Sequence, residues 1–192
     1  MTFCPVCKND GKTCDACKAV SYLDGITAFL FYKEEGSIGK LIKNFKYNYS
    51  SDIAKVWQEV LEKILWIPEK NAVDIIPVPL YKRRERERGY NQSEIIASIL
   101  NNVLKLSKVD CALNSKNLAR WRRTEQQAKL NLLERQKNVS GAFEWQSAMP
   151  PKANIVLVDD VFTTGSTMQE CAKVLKKAGA AWVWGLTLAR GL

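Results

Sequence analysis

Residues 154–168 read N-I-V-L-V-D-D-V-F-T-T-G-S-T-M, which joins an apolar segment, an acid pair and a turn of small hydroxyl residues. The apolar segment, residues 155–158, has the length and β-branched composition of a strand buried in a parallel sheet. After the turn, apolar residues at helical spacing predict an amphipathic helix that ends near Gly179. This order of strand, turn and helix predicts an α/β fold with a parallel-sheet core and flanking helices.

The turn and the acid pair suit two parts of one ligand. A turn that leads into a helix N-terminus presents free N–H groups to a phosphate, and Gly165 lets the backbone approach closely or adopt a positive φ. Asp159 and Asp160 would repel a phosphate, so we expect their carboxylates to accept hydrogen bonds from the hydroxyl groups of a sugar. Ribose 5-phosphate offers both features. The turn hydroxyl groups that can add hydrogen bonds belong to Thr163, Thr164, Ser166 and Thr167.

Two C-x2-C pairs lie near the N-terminus, Cys4 with Cys7 and Cys14 with Cys17. Each pair can direct two thiolates at one ion, and the two pairs together complete a tetrahedral site for a structural zinc ion. Residues 1–20 have too few apolar side chains to form a core, so a metal would stabilise this segment in its place. Disulfides and redox pairs are the alternatives. Disulfides are rare in cytosolic proteins, and no strand–helix context for a redox pair is predicted here.

The net charge of +9 is concentrated in two segments. Residues 82–88 carry five basic and two acidic side chains, and residues 116–137 carry seven basic and two acidic ones. Such a local excess predicts an anionic ligand, which could be pyrophosphate, a nucleotide or a nucleic-acid backbone. Both segments are predicted as loops, the first of them between a core strand at residues 73–78 and a helix that Ser93 caps.

The second basic segment is predicted to contain one short helix, at about residues 131–137, with Asn131 and Glu134 as a capping pair. Loops of this length are often lids, and a lid here would exclude water from a reactive sugar cation. Trp121, which lies among arginines, would either stack on a base of single-stranded DNA or pack inside the protein. The remaining predicted elements are strands at residues 21–32 and 180–189 and helices at residues 36–47 and 51–66. The lysines expected on the solvated face of the first of these helices are Lys40, Lys43 and Lys46.

The segment V-L-V-D-D-V-F-T-T-G-S-T resembles the phosphoribosyl pyrophosphate (PRPP) motif of type I phosphoribosyltransferases. Further segments, in order along the chain, narrow the resemblance to the ComF family. They are the two cysteine pairs, P-V-P-L before the first basic segment, R-G-Y-N-Q-S from Arg88, L-x-R from Leu118, T-x-x-Q-x-x-L from Thr124, R-x-x-N from Arg135 and A-F from Ala142. The resemblance implies a type I phosphoribosyltransferase fold over residues 21–192 and a zinc ribbon over residues 1–20. It also implies a role in natural competence, the import of single-stranded DNA for transformation.

The resemblance also implies roles for individual residues. Asp159 and Asp160 would be the catalytic residues and would hold the ribose hydroxyls, partly through waters on a Mg2+ ion that bridges the pyrophosphate and the ribose hydroxyls. Arg84 and Arg88 would hold the pyrophosphate, because guanidinium groups pair with phosphate oxygens in bidentate fashion. The residues that would hold the 5-phosphate of PRPP are Thr163, Thr164, Gly165, Ser166 and Thr167.

One position departs from the pattern of phosphoribosyltransferases that act on 6-oxopurines, which carry an Asp where this chain has Thr163. The chain also has no His, so the usual base for neutral pH is absent. We therefore expect an acceptor other than a 6-oxopurine. Two classes of function stay open. The first is a phosphoribosyltransferase of unknown acceptor. The second is a non-catalytic module that senses PRPP or binds single-stranded DNA and competence proteins. No apolar stretch is long enough to span a bilayer and no signal peptide is evident, so we expect a cytoplasmic protein.

Overall fold

The structure, a computed structural model, describes residues 1–33, 35–47, 51–64, 72–124 and 132–191. Its strands are β1 (Thr2–Phe3), β2 (Gly25–Tyr32), β3 (Val73–Pro77), β4 (Cys111–Leu113), β5 (Leu118–Arg120), β6 (Phe143–Trp145), β7 (Asn154–Phe162) and β8 (Trp182–Gly191). Its helices are α1 (Asp15–Lys18), α2 (Ser37–Tyr47), α3 (Ser51–Ile64), α4 (Lys82–Arg88), α5 (Gln92–Leu106), α6 (Leu132–Val139) and α7 (Ser166–Lys177). None of the helices in these ranges combines the length and hydrophobicity that crossing a lipid bilayer requires.

Six strands form one sheet in the order β1-β2-β8-β7-β3-β4. Five of these strands run parallel to one another, namely β2, β8, β7, β3 and β4. The exception is β1, which pairs in antiparallel fashion with β2 and places Thr2 opposite Thr27. A mixed α/β architecture with a mostly parallel sheet is thereby confirmed.

Strand β7 carries apolar side chains to both faces of the sheet. Ile155 and Leu157 belong to the cluster that includes Cys171 and Leu175 of α7. Val156 and Val158 belong to the opposite cluster, which includes Ile96 and Leu100 of α5 and Trp57 of α3. Because successive side chains of a strand point to opposite faces, an unbroken apolar run is what a strand covered on both sides requires.

The acid pair lies inside β7 and not directly after it. The strand continues to Phe162 because β8 remains paired with it, with Asp159 opposite Thr187 and Phe162 opposite Arg190. The sequence-based end of the strand was therefore too early. The position of the turn at residues 163–165, called the phosphate turn after its predicted ligand, agrees with the prediction, and α7 ends at Lys177, two residues before Gly179.

The first basic segment is a helix, α4, and the prediction of a loop was wrong. Its C-cap is Gly89, which has a φ of 83° and donates from its backbone N to the Glu85 carbonyl oxygen at 2.8 Å. Arg83 and Glu87 form an ion pair of 2.8 Å one turn apart, which stabilises a helix. The next helix, α5, is capped by Asn91 and not by Ser93, because the Asn91 side chain accepts the Ser93 backbone N–H at 3.0 Å.

A pair of strands that the sequence did not predict lies in and just after the second basic segment. Strands β5 and β6 form an antiparallel two-stranded sheet with Arg120 opposite Phe143. The helix predicted at residues 131–137 is observed as α6, whereas Asn131 of the proposed capping pair lies outside the described residues. The same holds for the Gln and Leu of the T-x-x-Q-x-x-L segment and for the end of the helix predicted at residues 51–66. Strands β1 and β4 were also not predicted.

Candidate functional site

The carboxyl ends of β3 and β7 lie side by side, because the two strands pair in parallel with Pro77 opposite Val158. A pocket of about 510 Å3 opens at this edge. Its lining includes every residue that the sequence predicts for PRPP, namely Asp159, Asp160, Thr163, Thr164, Gly165, Ser166, Thr167, Arg84 and Arg88. Segments that are far apart in the chain thus meet where open parallel sheets bind their ligands.

The turn between β7 and α7 has the backbone that a close approach to a ligand requires. Gly165 has a φ of 79°, and a Cβ atom built on it would stand 2.4 Å from Cζ of Phe162. The hydroxyl groups of Thr164 and Ser166 are 3.0 Å apart and hydrogen-bonded. The first amide groups of α7 have no acceptor within the helix, and the positive end of the helix dipole lies at the same place. The turn can therefore accept an anion.

The two acids have different partners. Oδ1 of Asp159 accepts hydrogen bonds from the Ser93 hydroxyl at 3.0 Å and from the backbone N of Asp160 at 2.9 Å. Burial and the neighbouring charge of Asp160 raise the pKa of Asp159 to about 7, against the opposing effects of these hydrogen bonds and of Lys46. Oδ2 of Asp160 instead forms an ion pair with Lys46 Nζ at 3.0 Å.

Lys46 belongs to the pocket, and the expectation that it lies on a solvated face was wrong. Burial acts to lower the pKa of Lys46, but the charges of Asp160 and Asp159 and the hydrogen bond to Asp160 outweigh it, so the pKa is raised. The backbone carbonyls of Phe45 and Lys46 accept hydrogen bonds from Tyr90 Oη at 2.5 Å and Gln92 Nε2 at 3.0 Å. These bonds fix the end of α2 against the start of α5. Lys43 also lines the pocket.

Three arginines contribute positive charge to the pocket. Arg84 and Arg88 are one turn apart on α4, so they share a face of that helix, and Arg88 Nη1 donates to Gln92 Oε1 at 3.1 Å. Arg120 comes from β5, with its guanidinium 5.2 Å from the ring centroid of Phe143. Burial lowers the pKa of Arg120, although it remains a cation at neutral pH.

The cysteines of the N-terminal pairs form one cluster. The sulfur atoms of Cys4, Cys7, Cys14 and Cys17 all lie within 4.8 Å of one another, and Sγ of Cys7 is 3.7 Å from Sγ of Cys14. That distance matches the sulfur–sulfur edge of about 3.8 Å in a tetrahedron with Zn–S bonds of ~2.3 Å. Burial acts to raise the pKa of Cys4, but hydrogen bonds from the backbone outweigh it and lower the pKa to about 6. The donor set therefore fits a zinc ion. The other two cysteines, Cys111 and Cys171, are buried, as predicted.

No protein-family model matches the chain. It is 33% identical over 164 residues to DNA utilization protein YhgH of Escherichia coli K12, an alignment that covers 81% of this chain and 68% of that protein. It is 37% identical over 119 residues to competence protein F of Haemophilus influenzae, covering 60% of this chain and 50% of that protein.

A third relative is competence protein ComFC of Bacillus subtilis, which is 30% identical over 152 residues, covering 79% of this chain and 54% of that protein. The chain belongs to the ComF family. It spans about two thirds of the length of the YhgH proteins and about half of the two competence proteins. The resemblance found in the sequence motifs is therefore confirmed at the level of the family.

Several pocket residues of this ComF chain could not be found from motifs. Lys46, Ser93 and Arg120 line the pocket from α2, α5 and β5. No motif marks Lys46, whereas Arg120 is the arginine of the L-x-R segment, to which the sequence assigned no role. For Ser93 a signal existed, because it falls within the R-G-Y-N-Q-S segment. Trp121 is 58% exposed, so of its two predicted placements the interior one is wrong.

Proposed function

We propose that this ComF protein binds PRPP with Mg2+ in the pocket at the ends of β3 and β7 and transfers its phosphoribosyl group to an acceptor in support of natural competence. The observation that carries the proposal is the meeting of an acid pair, a phosphate-accepting turn and a row of arginines in one pocket of about 510 Å3. A pocket of this volume lies within the range of ~300–1,000 Å3 that is typical of small-ligand sites. PRPP presents a diol, a phosphomonoester and a pyrophosphate, which these three groups complement.

The 5-phosphate would bind to the turn before α7. The hydrogen-bonded hydroxyls of Thr164 and Ser166 and the first amides of α7 supply donors without requiring a charged side chain. The turn requires glycine at residue 165, because a Cβ atom there would meet the ring of Phe162.

The ribose would lie over Asp159 and Asp160. Asp159 is held by Ser93 and Asp160 by Lys46, so neither carboxylate needs to reorganise when the sugar binds. Carboxylate oxygens are ligands that Mg2+ accepts, directly or through water, and the ion would neutralise charge on the pyrophosphate. In the empty pocket, repulsion between the two adjacent carboxylates helps to raise the pKa of Asp159. A bound cation would relieve that repulsion.

The pyrophosphate would face Arg84 and Arg88. Their guanidinium groups would stabilise the negative charge that builds up as the bond between C1 of the ribose and the pyrophosphate oxygen breaks. The pair of electrons leaves with the pyrophosphate while a nitrogen of the acceptor forms the new bond to C1. Positioning of the two substrates would supply much of the rate, because the chain has no His to act as a base.

The role in competence rests on the relatives, which are named competence proteins and DNA utilization proteins. A second candidate function is a non-catalytic module that senses PRPP or binds single-stranded DNA. The observation that favours it is Trp121, which is 58% exposed beside Arg122 and Arg123 and could stack on a base. A Trp121→Ala variant that loses about tenfold or more in affinity for single-stranded DNA would support this function.

Calorimetric titration with PRPP and Mg2+ tests the proposal. We expect the wild type to bind and an Asp159→Asn/Asp160→Asn variant to lose at least ~100-fold in affinity, because both hydroxyl and cation contacts are removed. An Asp110→Asn/Glu144→Gln variant, which removes two exposed acids elsewhere, should bind like the wild type. A folded wild type that does not bind PRPP contradicts the proposal. Salt-sensitive binding of single-stranded DNA that survives the loss of Asp159 and Asp160 would favour the second function.

A further inference from the structure

A second cavity, of about 410 Å3, lies beside the first, and four arginines line it. They are Arg83 and Arg84 of α4, Arg120 of β5 and Arg123, which follows β5. The carboxylate in the lining belongs to Glu87. Counted over the described side chains that line it, the positive charges of this second cavity therefore exceed the negative ones by three.

The two cavities share a wall. Arg84, Glu87 and Arg120 line both of them. A ligand in the second cavity would therefore stand next to the group that Arg84 contacts in the first. The second cavity extends beyond the PRPP site proposed above, because Arg83 and Arg123 line it and do not line the first cavity.

Within the part of the chain that the structure describes, the carboxylate that lines the second cavity is already engaged. The carboxylate of Glu87 is already paired with Arg83 Nε at 2.8 Å. Arg120 donates from Nη2 to the hydroxyl of Thr124, which carries no charge, and its Nε is buried without a hydrogen-bond partner among the described residues. Arg120 is partly buried and feels the like charges of Arg84 and Arg122, which the charge of Asp159 opposes, so the binding of an anion here would be favoured.

We propose that the second cavity binds the phosphate group of a small phosphorylated acceptor, a molecule of the size of a nucleoside monophosphate. Guanidinium groups suit phosphate because their paired N–H donors match two of its oxygens. The volume of about 410 Å3 falls in the range of ~300–1,000 Å3 for small-ligand sites. The assignment of this ligand as an acceptor rests on the proposed function: with its phosphate in the second cavity, its nucleophilic nitrogen would extend past Arg84, Glu87 and Arg120 to C1 of PRPP.

The shape of the site favours a small ligand over a nucleic-acid strand. Proteins hold single strands in grooves that follow the backbone over several nucleotides, whereas the described lining of this site is confined to one short helix and the end of one strand. The pyrophosphate of PRPP is a competing source of the same chemistry. If it reached into the second cavity, PRPP and the phosphorylated acceptor would exclude each other, and this difference can be measured.

The experiment is a calorimetric titration with thymidine 5-monophosphate and with inorganic phosphate, with thymidine as the control that lacks phosphate. The test variant is Arg83→Gln/Arg123→Gln, which removes two exposed charges that line the second cavity alone. The matched control is Lys105→Gln/Lys177→Gln, which removes two exposed charges at the C-terminal ends of α5 and α7. Each titration is done with and without saturating PRPP and Mg2+.

We expect the wild type to bind both phosphorylated probes. Thymidine should bind at least ~10-fold more weakly than its monophosphate. The test variant should lose ~10-fold or more in affinity for the monophosphate. The control variant should stay within about twofold of the wild type. The proposal is overturned if neither phosphorylated probe binds to the wild type, if the test and control variants lose affinity equally, or if PRPP displaces the probe. Binding of a short oligothymidylate strand without binding of the monophosphate overturns it in favour of a nucleic-acid site.

The two proposals can fail separately. Absence of PRPP binding to the wild type contradicts the proposed function, but the loss of phosphate affinity in Arg83→Gln/Arg123→Gln relative to the control variant would still locate an anion site. Conversely, PRPP binding with no effect of that variant on the phosphorylated probes leaves the proposed function intact and removes the acceptor site.

Discussion

The rings of Phe3 and Phe162 meet edge to face, with their centroids 5.6 Å apart and their planes at 69°. Lys8 Nζ lies 4.1 Å from the centroid of the same Phe162 ring. On its other side, Phe162 occupies the space that a side chain at residue 165 would need. The segment that carries the cysteine cluster therefore packs against the phosphate turn through one buried aromatic ring.

We predict that the purified protein contains about one zinc ion per chain, held by the four thiols of the N-terminal cluster. A Cys7→Ser variant should lose the zinc and lower the melting temperature by about 5 °C or more, because metal binding replaces a core in this segment. A Cys111→Ser variant, which changes a buried cysteine outside the cluster, should keep the metal. Elemental analysis together with thermal unfolding measures both effects. Zinc-free wild-type protein that melts like the zinc-loaded form would contradict the prediction.

We predict that Gly165→Ala is more harmful than the same change at another glycine with a positive φ. At Gly165 the new methyl group meets the Phe162 ring at 2.4 Å, whereas at Gly141, with a φ of 65°, it would meet nothing within 4 Å. The first variant should lose about 2–4 kcal/mol of unfolding free energy from strain and overpacking, and the second about 1 kcal/mol.

Urea unfolding measures these losses, and titration with PRPP measures the effect on the site. Gly165→Ala should bind PRPP at least ~10-fold more weakly, because the turn must move to relieve the clash. Gly141→Ala should bind PRPP like the wild type. Equal destabilisation by the two changes would show that Phe162 yields to the methyl group and that the turn is not fixed by this contact.

The parts of the fold and site that were predicted correctly depend on local sequence. Residues 155–158 are apolar at every position, which a strand covered on both faces requires, and the turn at Gly165 follows from its neighbours. The parts that were missed depend on distant elements. Lys46 and Asp160 are 114 positions apart in the chain. They form an ion pair because the order of the strands brings α2 and β7 together.

The helix α4 was missed for a different reason. Its residues K-R-R-E-R-E-R are good helix formers, and Arg83 with Glu87 has the spacing of a stabilising pair. The dense charge was interpreted as a sign of a loop, although charge alone does not oppose a helix whose opposite charges alternate. The pair β5–β6 carried no such signal, because each strand has only three residues.

We predict that Asp159 makes the empty pocket less stable as the pH rises. Burial and the charge of Asp160 raise the pKa of Asp159 to about 7, whereas an unfolded Asp has a pKa of about 4. Between these values the folded state keeps a proton that the unfolded state loses, so the free energy of unfolding falls as the pH increases. Without PRPP or Mg2+, Asp159→Asn should be more stable than the wild type above about pH 7, by about 1–2 kcal/mol after allowance for partial exposure.

Thermal unfolding of the wild type and of Asp159→Asn across this pH range measures the effect. The difference between the two melting temperatures should grow from about pH 4 and level off above about pH 7. An Asp110→Asn variant, which changes an exposed acid, should show no such trend. A difference that stays constant with pH would mean that Asp159 titrates near its ordinary value.

We predict that Lys46→Met destabilises the protein by about 1–3 kcal/mol, because it leaves the carboxylate of Asp160 in a mostly buried place without its cation. Lys40→Met, on an exposed position of the same helix, should change the free energy of unfolding by less than ~0.5 kcal/mol. Urea unfolding at neutral pH measures both losses. PRPP affinity should also fall in the Lys46 variant, because Asp160 is no longer held in place for the ribose.

A double-mutant cycle separates the ion pair from other effects of the substitution. If the bond between Lys46 Nζ and Asp160 Oδ2 at 3.0 Å carries the stability, then Lys46→Met/Asp160→Asn should cost less than the two single changes added together. Additive losses, or a loss no greater than that of Lys40→Met, would mean that the pair contributes nothing to the pocket and that Lys46 acts only through its aliphatic stem.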